Sequence, residues 1–249
     1  MIPYRDENPT TLTPIVTSGI IALNVLAWLF IEGAGAGRAV DAAVCHYGLI
    51  PGEVLQRVAP GTGVALAPGV FCRVDPAPQY WTVLTSMFMH GGWMHLIGNM
   101  VFFAVFGNNI EDAMGHFRFA AFYLLCGGAA AAAQVLITPT STIPMVGASG
   151  AISGVLGAYV LLYPRVRVHA LVFLGIYVTT ITIPAFVMLG YWIVVQVLSS
   201  LASLGARASG GTAYFAHLGG FAAGLVLIRL FARREYLERR DVLPGGYRN

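Results

Sequence analysis

Ser149 and His217 are the residues whose types point most directly to chemistry. A serine hydroxyl is a weak nucleophile until a base lies within about 2.6–3.2 Å of it. Histidine is the side chain best suited to take a proton near neutral pH. His95 and Asn99 form a second polar pair, spaced i and i+4 on one helical face. All four lie in apolar stretches, where a polar side chain is expensive and is a functional candidate by default.

The elements that must position them are membrane helices. Hydrophobic residues make up 57% of the 249, only 10% are charged, and the mean hydropathy is +0.73. A soluble domain carries roughly 25% charged residues, so the solvent implied here is the lipid bilayer. Every basic residue is an Arg, the net charge is +3, and no basic stripe alternates with aromatics, which argues against nucleic acid as a partner. The polar start, Met1 to Pro14, is followed by an apolar run without an A-x-A-type cleavage site, so a retained first span is expected.

A span needs about 20 apolar residues. The fold class expected is an all-α, polytopic bundle with spans near 14–34, 84–107, 117–137, 184–202 and 213–232, and a short one at 149–163. Residues 35–80, rich in Gly and Pro, form an interfacial or extramembrane cap; Cys45 and Cys72 share it and either pair or stay free. Residues 168–183 are apolar but rich in β-branched side chains and precede Pro184. They read as an interfacial connector, with a seventh span as the alternative.

Arginine counts orient the bundle, since inner loops collect them. With six spans and both tails inside, 1–13 and 233–249, the inner face gathers Arg5, Arg118, Arg165, Arg167, Arg233, Arg234, Arg239, Arg240 and Arg248. Arg38, Arg57, Arg73 and Arg207 stay outside. A seventh span would push the basic tail outside, against the same rule. Arg-only usage and short tails suggest a bacterial plasma (inner) membrane.

Depth can be counted from the charges at the inner ends. Ser149 precedes Arg165, His217 precedes Arg233 and His95 precedes Glu111 by the same 16 residues, about 24 Å of helix. Three spans thus hold polar groups at one level, below the outer rim of a hydrocarbon layer about 30 Å thick.

Small residues decide which faces meet. Ser149, Gly150, Ser153, Gly154 and Gly157 line one side of the fourth span, and His217, Gly220 and Gly224 line the sixth. Such stripes let backbones approach closely in lipid, and a Ser149–His217 contact needs that approach. Each residue also has a plainer use: a lone Ser bonds its own helix, and His95 and Asn99 can satisfy each other. A metal centre on His90, His95 and His217 is disfavoured. No H-E-x-x-H occurs, and a five-residue step is a poor ligand spacing on one helix.

Three segments together carry a resemblance: HGGWMHLIGNM from His90 to Met100, GASG from Gly147 to Gly150, and AHLGGFAAG from Ala216 to Gly224. In this order and at matching depths they resemble the rhomboid intramembrane serine proteases, over approximately residues 14–232. The resemblance implies Ser149 as nucleophile and His217 as general base without a third acid. It also implies His95 and Asn99, with the Ser149 amide, as oxyanion donors, and no cofactor. Two positions depart from the pattern. Trp81-Thr82 stands where Trp-Arg is common before the second span, and Ser153 stands where some members stack a Tyr on the histidine.

The expected activity is cleavage of transmembrane segments of other, single-pass membrane proteins. The fifth span and the Gly205–Gly211 link are expected to act as gate and cap. An inactive rhomboid-like protein that holds client helices is the alternative. A small transporter would need repeated halves and broken helices.

Overall fold

The computed structural model describes residues 1–175, 177–205 and 213–241. In chain order the elements are β1 (Ile2–Asp6), α1 (Ile15–Phe30), α2 (Arg38–Tyr47), α3 (Pro51–Val54), β2 (Gly63–Ala67), β3 (Val70–Arg73) and α4 (Thr82–Thr85). There follow α5 (Trp93–Met114), α6 (His116–Ile137), α7 (Ser149–Leu162), β4 (Arg167–Leu174), β5 (Tyr177–Pro184), α8 (Ala185–Gly205), α9 (Tyr214–Phe231) and α10 (Arg234–Asp241). Among the described residues α6, α8 and α9 are long and apolar enough to cross a membrane, and α1 and α7 are shorter apolar helices. The molecule is mostly helical. Its core is aromatic, with Trp28, Phe103, Phe106, Phe119, Phe122, Tyr123 and Tyr159 all buried.

Two small sheets accompany the helices, which the all-α expectation did not include. Segment 168–183 is a β-hairpin: Arg167 faces Pro184 and Leu174 faces Tyr177 across it. Its run of Val, Thr and Ile suits a pleated ribbon, and Gly175 supplies the turn with φ +65°. The N-terminal segment is the third strand, β1, antiparallel to β4 with Asp6 opposite Val168. Val168 and Ala170 point into the core beneath it.

Carboxylates pin both ends of α1 against α5. Glu111, fully buried, accepts the Val16 and Thr17 N–H groups at 2.9 and 2.8 Å and the Thr17 hydroxyl at 2.6 Å. The N-terminal amides of a helix have no partner within it, so this carboxylate satisfies them and complements the dipole. At the other end Glu32 accepts the His90 N–H at 2.6 Å. α5 turns directly into α6 through Gly115, whose φ of +78° is open to glycine at little cost.

Segment 35–80 is folded, with the β2–β3 hairpin packed on α2. Cys45 of α2 and Cys72 of β3 are joined by a disulfide, Cα–Cα 5.1 Å, closing a loop of 27 residues. Cross-links over loops of that length are worth about 2–4 kcal/mol. Cys72→Ala is therefore expected to open this cap to protease at a temperature several degrees below that of the parent, while the helices stay resistant. Equal protease resistance of cap and parent would refute it.

Candidate functional site

Each of the four polar residues is carried by a helix. Ser149 is the first residue of α7, His217 lies in the first turn of α9, and His95 and Asn99 sit in the first two turns of α5. What brings Ser149 and His217 together is the absence of side chains between their helices. A Cβ on Gly220 would stand 2.0 Å from the Gly150 carbonyl oxygen, and one on Gly224 1.9 Å from that of Gly154. Gly157 meets the Phe221 carbonyl in the same way, at 2.4 Å. A Cβ on Gly154 would also stand 2.4 Å from the Cys126 Cβ of α6. The expected glycine stripes are thus a backbone-to-backbone seam between α7 and α9.

Across the upper end of that seam the Ser149 Oγ lies 2.7 Å from His217 Nε2. The second ring nitrogen, Nδ1, lies 2.8 Å from Gln196 Oε1 on α8. His217 is nearly enclosed, with 8% of its surface exposed. Trp192, one turn before Gln196 on α8, packs a tilted ring 5.9 Å from the imidazole, and Tyr214 meets it edge-on at 6.4 Å. At the position where the resemblance expects a stacking Tyr, Ser153 turns its hydroxyl back to the Ser149 carbonyl at 2.6 Å. The aromatic flank comes instead from Trp192 of α8 and Tyr214 of α9.

A cavity of about 470 Å³ opens over the serine and is shared by Ser149, His217, His95, Asn99, Gly147 and Trp192. Gly147 keeps its floor open. Its φ is +125°, and a Cβ there would sit 2.8 Å from His95 Nε2 and 3.4 Å from Ser149 Oγ. The His95 ring is held by the Gly91 N–H, which donates to Nδ1 at 3.3 Å, so Nε2 is the nitrogen turned to the serine. Among the described residues the Asn99 Nδ2 is buried without a hydrogen-bond partner. That is an unspent donor beside the serine.

The other histidines lie apart from this contact or have partners of their own. His90 is buried, edge-on to His95 at 5.0 Å. His116 contacts Glu111 at 2.6 Å, and His169 contacts Glu7 at 3.0 Å. His46 packs against Tyr47 and Trp81. Among the described residues no three His, Cys, Asp or Glu side chains gather as a metal site.

Sequence reasoning missed Gln196 and Trp192. The signal for Gln196 was present, since a lone amide in the apolar run of α8 is as costly as the histidines were. Its spacing from Trp192, i to i+4, puts both on one face. Of the Gly205–Gly211 link expected to cap the site, all beyond Gly205 lies outside the described residues, as does Arg207.

Several known proteins are similar in sequence to this chain. RHOMBOID-like protein 4 of Arabidopsis thaliana is 29% identical over 155 residues, 62% of this chain and 35% of that protein. Rhomboid protease GluP of Bacillus subtilis is 31% identical over 132 residues, 53% of this chain and 25% of GluP. Inactive rhomboid protein 1 of Drosophila melanogaster is 32% identical over 92 residues, 37% of this chain and 6% of its own length. The chain therefore matches about a third or less of the length of each of these relatives. The Rhomboid domain itself matches residues 77–234, which hold α5 to α9 and all four polar residues. With that domain covering well over half its length, this chain is an integral membrane protein of the rhomboid family.

Proposed function

We propose that the chain is an intramembrane serine endopeptidase acting on transmembrane segments of other membrane proteins. The observation that carries this reading is the 2.7 Å contact between Ser149 Oγ and His217 Nε2. A hydroxyl on one helix and an imidazole on another meet there, beneath a cavity of about 470 Å³. Family membership alone does not decide activity, since the relatives include both a protease and an inactive protein. An inactive holder of client helices would have no use for an aligned pair.

In this reading α1, α5, α6, α7, α8 and α9 are six spans, with the Arg-rich ends inside. α7 has 14 residues, which rise about 21 Å. That is short of a hydrocarbon layer about 30 Å thick, so a helix ending at the inner rim starts below the outer one. Ser149 would open it at that depth.

His217 Nε2 accepts the Ser149 proton as Oγ attacks a substrate carbonyl carbon, giving a tetrahedral oxyanion. His95 Nε2, the Asn99 amide and the Ser149 N–H are its donors. The imidazolium then protonates the leaving amine, and water, losing a proton to His217, hydrolyses the acyl-enzyme. A helical substrate has its carbonyls tied in i to i+4 bonds. The cleaved stretch should therefore be unwound by Gly, Pro or small polar residues near its outer end, in a single-pass protein.

Donors aimed at developing charge are each worth about 10²–10³ in rate. Asn99→Ala is expected to lower kcat by that order with little change in KM. A loss confined to KM would remove Asn99 from the oxyanion site.

Membranes holding the parent, Ser149→Ala or His217→Ala are treated with a fluorophosphonate probe and co-expressed with a panel of single-pass proteins, whose fragments are weighed by mass. Labelling and cleavage are expected with the parent alone. A parent that neither labels nor cuts would overturn the protease reading in favour of the holder.

A further inference from the structure

The hydrogen bond from α8 to the far side of the histidine assigns a role to a third side chain. An imidazole in the neutral form carries one proton, and the partners of its two nitrogens decide which one holds it. Gln196 Oε1, 2.8 Å from Nδ1, is an amide oxygen and only accepts. Nδ1 must then hold the proton, and Nε2 is left as a bare lone pair facing the Ser149 hydroxyl at 2.7 Å. With the proton on Nε2, that nitrogen would donate toward the serine and could not act as its base.

We propose that Gln196 is a positioning residue, the acceptor on α8 that holds His217 in the Nδ1–H tautomer and so keeps Nε2 free for Ser149. The kinetic half of this rests on the protease reading. Gln196 and Trp192 hold the ring together: one sets its proton, the other its plane, and both belong to α8. The contact is buried, with 9% of Gln196 exposed.

It also ties the base to a helix with few other attachments. Phe186, Tyr191, Val194, Leu198 and Leu201 of α8 are all exposed, and α8 packs far less extensively on α7 and α9 than those two pack on each other. Displacing α8 to admit a substrate removes the acceptor from Nδ1. Alignment of the base and closure of this side of the cavity are then one event.

Full-length protein with ¹⁵N-labelled histidine, in lipid nanodiscs, is read by long-range ¹H–¹⁵N spectra, which separate a protonated from a bare ring nitrogen without any turnover. The parent is expected to show His217 with Nδ1 protonated and Nε2 bare; Gln196→Met is expected to populate the reverse. On a substrate from the co-expression panel Gln196→Met should lose about 10²-fold in kcat, the order that a misplaced catalytic group costs, with KM within about twofold. Gln196→Glu, which restores an acceptor, should recover most of that loss.

A parent with Nε2 protonated, or a Gln196→Met protein with unchanged tautomer and rate, would overturn the assignment. So would a Gln196→Glu protein as slow as Gln196→Met, with the same loss of melting temperature, because the side chain would then serve only packing. If the parent shows the Nδ1–H tautomer but neither labels nor cuts, the protease reading fails while the tautomer assignment stands.

Discussion

His217→Ala is expected to cut at a rate about 10⁴–10⁶-fold below that of the parent, and to do so no faster than Ser149→Ala. In serine hydrolases the nucleophile and its base act as a unit, so removing either costs about as much as removing both. In the proposed mechanism that unit is a single contact of 2.7 Å. Without the imidazole the hydroxyl loses its base among the described residues: Ser153 is turned back on the helix backbone, and His95 Nδ1 accepts the Gly91 N–H, which leaves its Nε2 a donor. The donors His95 and Asn99 would survive, and so should the residual rate they support. Rates for both single variants and the double variant in lipid vesicles provide the check. A His217→Ala protein keeping a tenth of the parent rate, or a double variant losing the product of the two effects, would mean that the pair does not act together.

Gly220→Ala should lose about 10²-fold in rate and about 1–3 kcal/mol in stability from one added methyl group. That methyl would meet the Gly150 carbonyl oxygen at 2.0 Å, and backbone has no rotamer by which to move aside. The two helices must part by on the order of 1 Å to regain ordinary contact. Overpacking of this kind costs about 1–3 kcal/mol. Gly150 adjoins Ser149, and Gly220 lies one turn past His217, so the separation falls on the Ser149–His217 contact itself. A shift near 1 Å at reacting groups is worth about 10²-fold. Gly128→Ala is the control: apart from its own stretch of helix, no atom among the described residues lies within 4 Å of its added carbon, and both rate and melting temperature should hold or rise slightly. Equal behaviour of the two variants would show that the seam tolerates spreading.

Why these positions were legible, and others not, follows from how far apart their partners lie in the chain. The α7–α9 seam could be read because a stripe of small residues is a local pattern with a single use in lipid, close approach. The depth count reached Ser149, His217 and His95 for the same reason, each measured along its own helix. The hairpin at 167–184 showed its β-branched composition, yet its third strand lies more than 160 residues earlier in a segment that reads as a polar tail. Only tertiary pairing makes Ile2–Asp6 a strand. Cys45 and Cys72 share a segment, but spacing alone does not say whether two thiols come within bonding distance; the fold of α2 against β3 decides that. Gln196 is hidden in the bulk composition of α8, because one amide does not alter an average over an apolar span.

The cystine has a further consequence for which way the molecule faces. Thiol pairs last in fluids that lack glutathione and thioredoxin, and are reduced where those are abundant. The bridged segment leads through Leu49 to a backbone bridge with Met145, four residues ahead of the serine. In the six-span reading proposed above, cystine and cavity mouth would share one compartment, an oxidising one. On this reading the severed ends of a client would emerge outside the reach of the cell's reductants, as products released outward.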